Sequence, residues 1–500
     1  MSPARHGGRC LVSAMVQTID LPRSHCEPCP SCQGEEVMPF PAKKALFAAA
    51  VAAALVAAVP AVHDAVTSTP TAATAGKRVV NYFPQWGVYE RKHTVGSLVK
   101  NGSAADLTVV NYAFANIHAT DLTCFENTQS VGNPTDADYP KDNAGDAWAD
   151  YQKVYTAAES VDGQADAADA KLRGNFNQLK KLKAKYPNLK VVMSIGGWSF
   201  SKHFAKAAAT DASRKKLVSS CIKMFIDGNI PSRDDWGTGK PAGGDGTAAG
   251  IFDGFDLDWE YPGGGGLEVN SVDPNDKANF TALVKEFRTQ LDAKKSGMIL
   301  SAFTAADPKK IDKGLELDKL HQYFTYFNVQ GYDFHGGSWE PNITGNASNI
   351  NLDPADPSTD KFSVDIANQI YLKAGVPADK ILLGLPFYGR GWTGVTTAGD
   401  RKGLYQKATG SAKGDFEVEP GVMAYNNVKK ICTGDKVVHD EALIATYCYT
   451  GTDFWSYDDA WVIGKKLEYA KKLNLGGAYA WNTAEDPEGE LNKEMAKINK

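Results

Sequence analysis

Residues 253–260 read Asp-Gly-Phe-Asp-Leu-Asp-Trp-Glu, and three of the acids, Asp256, Asp258 and Glu260, fall at i, i+2 and i+4. On a β-strand that spacing places all three carboxylates on one face, while Phe255, Leu257 and Trp259 take the other. Three neighbouring carboxylates repel, so they must share protons and at least one pKa must rise toward neutrality. A carboxyl group with a raised pKa can deliver a proton at working pH, which is what a glycosidic oxygen requires of a leaving-group catalyst. Glu260 is last in the row and has the longest side chain, so it is the expected proton donor. Asp253 has the opposite parity and is assigned a structural role. A calcium loop would need small residues and a turn glycine where this segment has bulky apolar ones. A magnesium site lacks any phosphate-binding element beside it. No metal ion and no organic cofactor is therefore expected.

A row of this kind needs a strand that ends at a cleft. Eight short β-branched or aromatic runs recur along the chain, at 78–82, 107–113, 190–195, 251–258, 298–302, 326–330, 381–385 and 477–481. Periodic segments such as 175–185, 278–293, 364–374 and 462–473 lie between them and predict helices. Eight such units imply an α/β fold, a (β/α)8 TIM barrel, in which the acids would line the interior of the fourth strand and open at the C-terminal mouth. A doubly wound sheet is the alternative, but it would want a phosphate-binding glycine loop, and the Gly-rich stretches at 243–246 and 263–266 lack the GxGxxG spacing. Two gaps are long. Residues 116–172 are polar and rich in Asp and Ala, and are expected to wall the mouth. Residues 389–454 predict a small inserted α+β domain between strand seven and the last helix, so the barrel is expected to comprise 76–388 and 455–500. The chain ends one helix after strand eight, with no further C-terminal binding module expected.

Composition narrows the partners. With 500 residues, 43% apolar, 23% charged and a net charge of −5, the chain has neither a disordered composition nor a basic nucleic-acid surface. Ten Trp and 20 Tyr supply flat rings suited to sugar faces. Lys43 and Lys44 precede an Ala, Val and Leu run at 45–59 and small residues ending at Ala75, the pattern of a secretory signal and too short for a good membrane span. Residues 1–75 are therefore read as a leader, cut after Ala75 or earlier after Ala61. Met38 is read as the start of translation, which makes 1–37 an upstream extension. Its Cys26, Cys29 and Cys32 lack a fourth ligand and are not taken as a metal site. The mature chain is expected to be extracellular, monomeric and free of membrane and nucleic-acid partners. It keeps Cys124, Cys221, Cys432 and Cys448. Export favours two disulfides over four buried thiols, Cys432 with Cys448 closing a short loop and Cys124 then pairing with Cys221.

The octapeptide resembles the DGxDxDxE signature of family 18 glycoside hydrolases, the chitinase family, and every acid is present. Ser194-Ile195-Gly196-Gly197-Trp198 resembles that family's SxGG segment on strand three. Tyr332-Asp333 after strand six is similar to its Tyr-Asp pair, Tyr388-Gly389-Arg390-Gly391-Trp392 to the start of its inserted domain, and Trp481 to the Trp that floors its cleft. The resemblance is closest to bacterial chitinases carrying that insertion.

It implies roles residue by residue. Glu260 would protonate the leaving oxygen, and the substrate's own N-acetyl carbonyl would attack to give an oxazolinium ion, the substrate-assisted exception among retaining glycosidases. Asp258 would orient the acetamido N–H and stabilise the developing charge, Asp256 would share a proton with Asp258, Tyr332 would bond the acetamido oxygen, and Asp333 would contact sugar and acid. Trp481 would stack under the sugar at the cleavage point, with Trp198 and Trp339 on the leaving-group side. Tyr82, Tyr388 and Arg390 are further expected substrate contacts, Arg390 bonding either sugar or Asp333. Trp86 and Trp392 are expected to flank the cleft. Two departures concern fine specificity: Gln330, where many members carry Met, and Asn482, where members often carry an acid. The implied function is a secreted chitinase acting on chitin and chitooligosaccharides. The alternatives are an endo-β-N-acetylglucosaminidase on N-glycans and a non-catalytic chitin-binding protein; the latter usually lacks the terminal Glu that is present here.

Overall fold

The computed structural model describes residues 76–500 apart from Thr135 and Glu417. The leader read at 1–75, with Met38 and Cys26, Cys29 and Cys32, lies outside the described residues.

Eight parallel strands close on themselves: β1 (Arg78–Pro84), β2 (Val109–Ile117), β3 (Lys190–Gly196), β4 (Gly254–Asp258), β5 (Ile299–Thr304), β6 (Tyr326–Val329), β7 (Ile381–Pro386) and β8 (Gly477–Trp481). Each pairs with its sequence neighbour, and β1 pairs both β2 and β8, so the sheet is a closed barrel. The strands coincide with the eight β-branched and aromatic runs to within a few residues. Each is followed by a helix: α1 (Val95–Lys100), α2 (Gly174–Lys185), α3 (Asp211–Cys221), α4 (Asp276–Lys294), α5 (Pro308–Gly314), α6 (Val364–Lys373), α7 (Ala460–Lys472) and α8 (Glu490–Met495). The caps are those the sequence writes: Thr210, Asp307, Ser363 and Asp459 each accept a hydrogen bond from a main-chain N–H in the first turn of the helix that follows.

β4 shows how alternation becomes position. Phe255 meets Phe287 of α4, and Trp259 stacks on Phe204 at 5.3 Å and meets Phe280 edge-on at 5.7 Å. Each of these buried rings contributes about 1.5–3 kcal/mol of apolar burial on the helix side. A one-residue slip would bury the acids among them, so the register is fixed and the acid row faces the barrel interior. Asp253, on the helix side, accepts from Lys183 Nζ at 2.8 Å and from the Val191 N–H at 2.9 Å, tying α2 and β3 to the start of β4.

Between β7 and α7 a six-stranded antiparallel sheet uses residues 388 to 457, beginning with Tyr388–Thr393 and ending with Phe454–Tyr457. It has a core of its own around Trp392, Leu404, Tyr447 and Phe454. Both predicted disulfides are formed: Cys432–Cys448 within this sheet region, and Cys124–Cys221, which joins the segment after β2 to the end of α3. Among the described residues no helix is long and apolar enough to cross a membrane.

Candidate active site

The barrel gathers the predicted acids at the end of β4. Asp256 is fully buried and accepts four hydrogen bonds: Tyr82 hydroxyl at 2.7 Å and Ser194 hydroxyl at 2.9 Å on one oxygen, Ser301 hydroxyl at 2.7 Å and Asn328 Nδ2 at 3.1 Å on the other. The donors come from β1, β3, β5 and β6, so the carboxylate sits at the centre of the barrel. Burial pushes its pKa up and the four donors pull it back. Four donors fill the lone-pair positions of a carboxylate, which marks Asp256 as the ionised member of the row.

Asp258 lies one step nearer the mouth. It is buried, its Oδ1 has no hydrogen-bond partner among the described residues, and its pKa is driven well above the ordinary carboxylate value by burial, then by Glu260 and Asp256. Glu260 follows just past the strand end. Burial pushes its carboxyl up to about 7; Tyr261 and the nearby Lys310 ammonium oppose that shift and Asp333 adds to it. Lys310 Nζ stands 4.1 Å over the Tyr261 ring. The Glu260 backbone is held by Ser201, whose hydroxyl accepts from the Glu260 N–H at 2.8 Å and lies 3.1 Å from the Asp258 carbonyl oxygen. The row thus runs from an anchored anion to a carboxyl that is half protonated near neutral pH, which can both give and take a proton.

The glycines of the Ser194–Trp198 segment are explained by close approach. Gly196 has φ +110°, and a Cβ there would come within 2.2 Å of the Asp258 carbonyl oxygen. Gly197 has φ +76°, and a Cβ there would strike the Phe114 ring at 2.6 Å. Any side chain at either position would push β3 from the acid row or displace an aromatic ring of the cleft.

After β6, Asp333 has φ +61° and accepts at Oδ1 from Tyr388 hydroxyl and from Arg390 Nε, both at 2.7 Å. Of the two partners expected for Arg390, the structure provides Asp333. Its guanidinium also stands 4.9 Å over the Trp339 ring and 5.2 Å over Tyr388. Tyr332 is buried between Phe303, Tyr388 and Tyr479. Gln330 lies at the end of β6, its N–H on the Thr304 carbonyl oxygen at 2.9 Å.

Trp481 ends β8 and stacks on Phe114, with ring centres 5.5 Å apart and planes 14° apart; Tyr82 and Trp86 pack against it. Trp198 and Trp339 are 46% and 47% exposed and Trp86 is 42% exposed. Trp392, expected at the cleft, is instead fully buried in the core of the antiparallel sheet, its Nε1 on the Glu340 carbonyl oxygen at 2.8 Å. It sits two residues beyond Arg390 on the same strand, but a six-stranded sheet needs an apolar filling, and Phe454 and Leu404 supply its surroundings.

Over residues 78–486 the sequence matches the domain described as Glycosyl hydrolases family 18. The chain belongs to that family. It is 36% identical over 416 residues to Chitinase C of Streptomyces lividans, covering 83% of this chain and 58% of that one, and 32% identical over 442 residues to Chitinase A1 of Niallia circulans, covering 82% and 56%. The chain thus spans somewhat under two thirds of the length of these curated relatives. Among solved structures it is similar to the catalytic domain of psychrophilic chitinase B from Arthrobacter TAD20, with 44% identity, a TM-score of 0.79, and coverage of 85% of this chain and 95% of that one.

Several residues of this family 18 site escaped the sequence reading. Ser301 and Asn328 lie on predicted strands with inward parity, so alternation could have nominated them, but nothing local marks a serine or asparagine as a carboxylate donor. Phe114 and Gln85 carry no local signal at all, because their importance comes from Trp481 and from a loop more than thirty residues away.

Proposed function

We propose that this chain is a chitinase that acts outside the cell, as a monomer, on the β-1,4 linkages of chitin and chitooligosaccharides with retention of anomeric configuration. The observation that carries the reading is the graded acid row: Asp256 saturated by four donors, Asp258 with an open oxygen, and Glu260 raised to about 7 at the rim.

Glu260 donates its proton to the glycosidic oxygen as the C1–O bond breaks. The acetamido carbonyl oxygen of the same sugar attacks C1 from the opposite face and closes an oxazolinium ring. Asp258 accepts the acetamido N–H on its open oxygen, holding the carbonyl in line and stabilising the positive charge on the ring. Asp256 is fixed by its four donors, and its carboxylate adds to the negative field beneath the positively charged ring. Tyr332 would donate to the acetamido oxygen from the β6 side. Trp481 would support the sugar face, Trp198 and Trp339 would receive the leaving-group sugars, and Tyr82, Tyr388, Arg390 and Gln330 would complete the pocket. Water then opens the ring at C1 while the Glu260 carboxylate takes its proton, which restores the acid. Two inversions at C1 leave the configuration retained.

The test is hydrolysis of colloidal chitin and of chitotetraose, beside Glu260→Gln. Release of N-acetylglucosamine dimers by the wild type, with the β-anomer appearing first by NMR and with release lost in the variant while binding persists, is the expected outcome. Tight binding without release by the wild type would make it a chitin-binding protein. Cleavage of an N-glycan core without cleavage of chitin would make it a glycan-trimming enzyme.

A further inference from the structure

Behind the aromatic floor lies a set of buried acids that the reaction does not use. Phe114 is the bulged residue of β2: Ala113 pairs with Ser194 and Ala115 with Ile195 on β3, so Phe114 has no partner in that ladder. Its N–H donates instead to Gln85 Oε1 at 2.7 Å. Gln85, only 3% exposed, opens the turn after β1. Its Nε2 lies 3.2 Å from both oxygens of Asp150, which also accepts from the Tyr112 hydroxyl. Asn175 Nδ2 in turn donates to that hydroxyl at 2.9 Å and reaches the Gln85 carbonyl oxygen at 3.3 Å. Glu126 lies near Asp150, whose carboxyl is raised first by burial and then by the charge of Glu126. Glu126 and Asp150 both come from the long segment between β2 and α2, the one read from sequence as a wall of the mouth.

The amide of Gln85 has one donor end and one acceptor end. The Phe114 N–H can only donate, so it takes the Oε1 end of the amide and leaves Nε2 for the Asp150 carboxyl. The Phe114 ring then lies flat against Trp481 on one side of the floor and stacks with Trp86 at 6.1 Å. An unpaired buried N–H costs more than a stacked ring pair gains. Removing Gln85 therefore moves the bulge, and the rings with it. We propose that Gln85, held by Asp150, is a positioning residue that sets the plane of the Phe114–Trp481 floor beneath the reacting sugar. The inference rests on the reading of Trp481 as that floor.

The test is a double-mutant cycle on the full chain with chitotetraose as substrate. Gln85→Met is expected to lower kcat/KM about tenfold, with most of the loss in kcat, and to have little effect when Trp481 is already alanine. Equal losses in both backgrounds would overturn the proposal, since a general structural role does not depend on Trp481. Should Gln85→Met fail to fold, Asp150→Asn carries the test: an amide there can turn either end toward Gln85, and a loss of about threefold confined to the Trp481 background is expected. If Trp481→Ala is itself neutral, the floor reading fails, and this proposal with it. Activity lost in Glu260→Gln but normal in Trp481→Ala would locate that failure in the floor and not in the catalytic assignment.

Discussion

Two groups of buried carboxyls lie within this barrel, and their titration alone does not tell them apart. On β4, Glu260 is raised to about 7 and Asp258 well above its ordinary value. In the segment between β2 and α2, Glu126 is raised to about 8, Asp146 to about 6 and Asp150 well above its ordinary value. In every one of the five, burial is the largest cause. What differs is where the donors and the open side lie. The β4 row spends its donors on Asp256 and leaves Asp258 Oδ1 without a hydrogen-bond partner among the described residues. In the second group Asp150 accepts from Gln85 and Tyr112, and Asp146 accepts from Tyr89. A raised pKa marks a carboxyl that is kept from water. It marks a catalyst only where substrate can take the place of that water.

The contrast is testable by its largest effect first. Glu260→Gln is expected to lower kcat on chitotetraose about 10³-fold while oligosaccharide binding, followed by calorimetry, persists. Glu126→Gln at the second group should cost less than tenfold by the same assay; a loss as large as that of Glu260→Gln would erase the distinction between the two groups. Stability offers a third handle, at His335, whose ring nitrogens lie 2.7 Å from Glu340 and 3.2 Å from Asp356. Against the cost of burial these two acids raise His335 to about 9. The folded-state pKa lies above the ordinary 6.5, so the charged ring stabilises the fold fully below about 6.5 and progressively loses that contribution as pH rises to about 9. His335→Gln should cost about 3 kcal/mol at pH 6 and much less at pH 10, measured by denaturant unfolding. The smallest effect is expected at Lys310. Its charge lowers the pKa of Glu260, so Lys310→Met should move the alkaline limb of kcat/KM, which falls as Glu260 loses its proton above about 7, upward by less than one pH unit. A downward shift would show that Lys310 acts on the reaction by another route.

The strands were legible because a barrel strand buried on both sides is a short apolar run, and its period survives in the sequence. The acid row was legible for the same reason: Asp256, Asp258 and Glu260 are spaced by the pleat itself. The two disulfides were legible because four cysteines in a chain expected to be exported leave few pairings. Trp392 was misplaced because a tryptophan two residues from Arg390 looks the same whether it lines a cleft or fills a sheet, and only its neighbours across the antiparallel sheet decide. Arg390 meets Asp333, one of its two candidate partners, only because the fold brings the turn after β6 to the first strand of that sheet.

The sequence by itself therefore determined the eight strands, the spacing of the carboxylates and the glycines that allow β3 to approach β4, since each is written in local periodicity or in a residue's own backbone freedom. The tertiary structure alone decided which carboxylate is anchored and which is free. Tyr82 reaches Asp256 across 174 positions of chain, Asn328 across 72 and Ser301 across 45. The proton affinities of the row follow from those distant donors and from burial, and neither exists until the barrel closes.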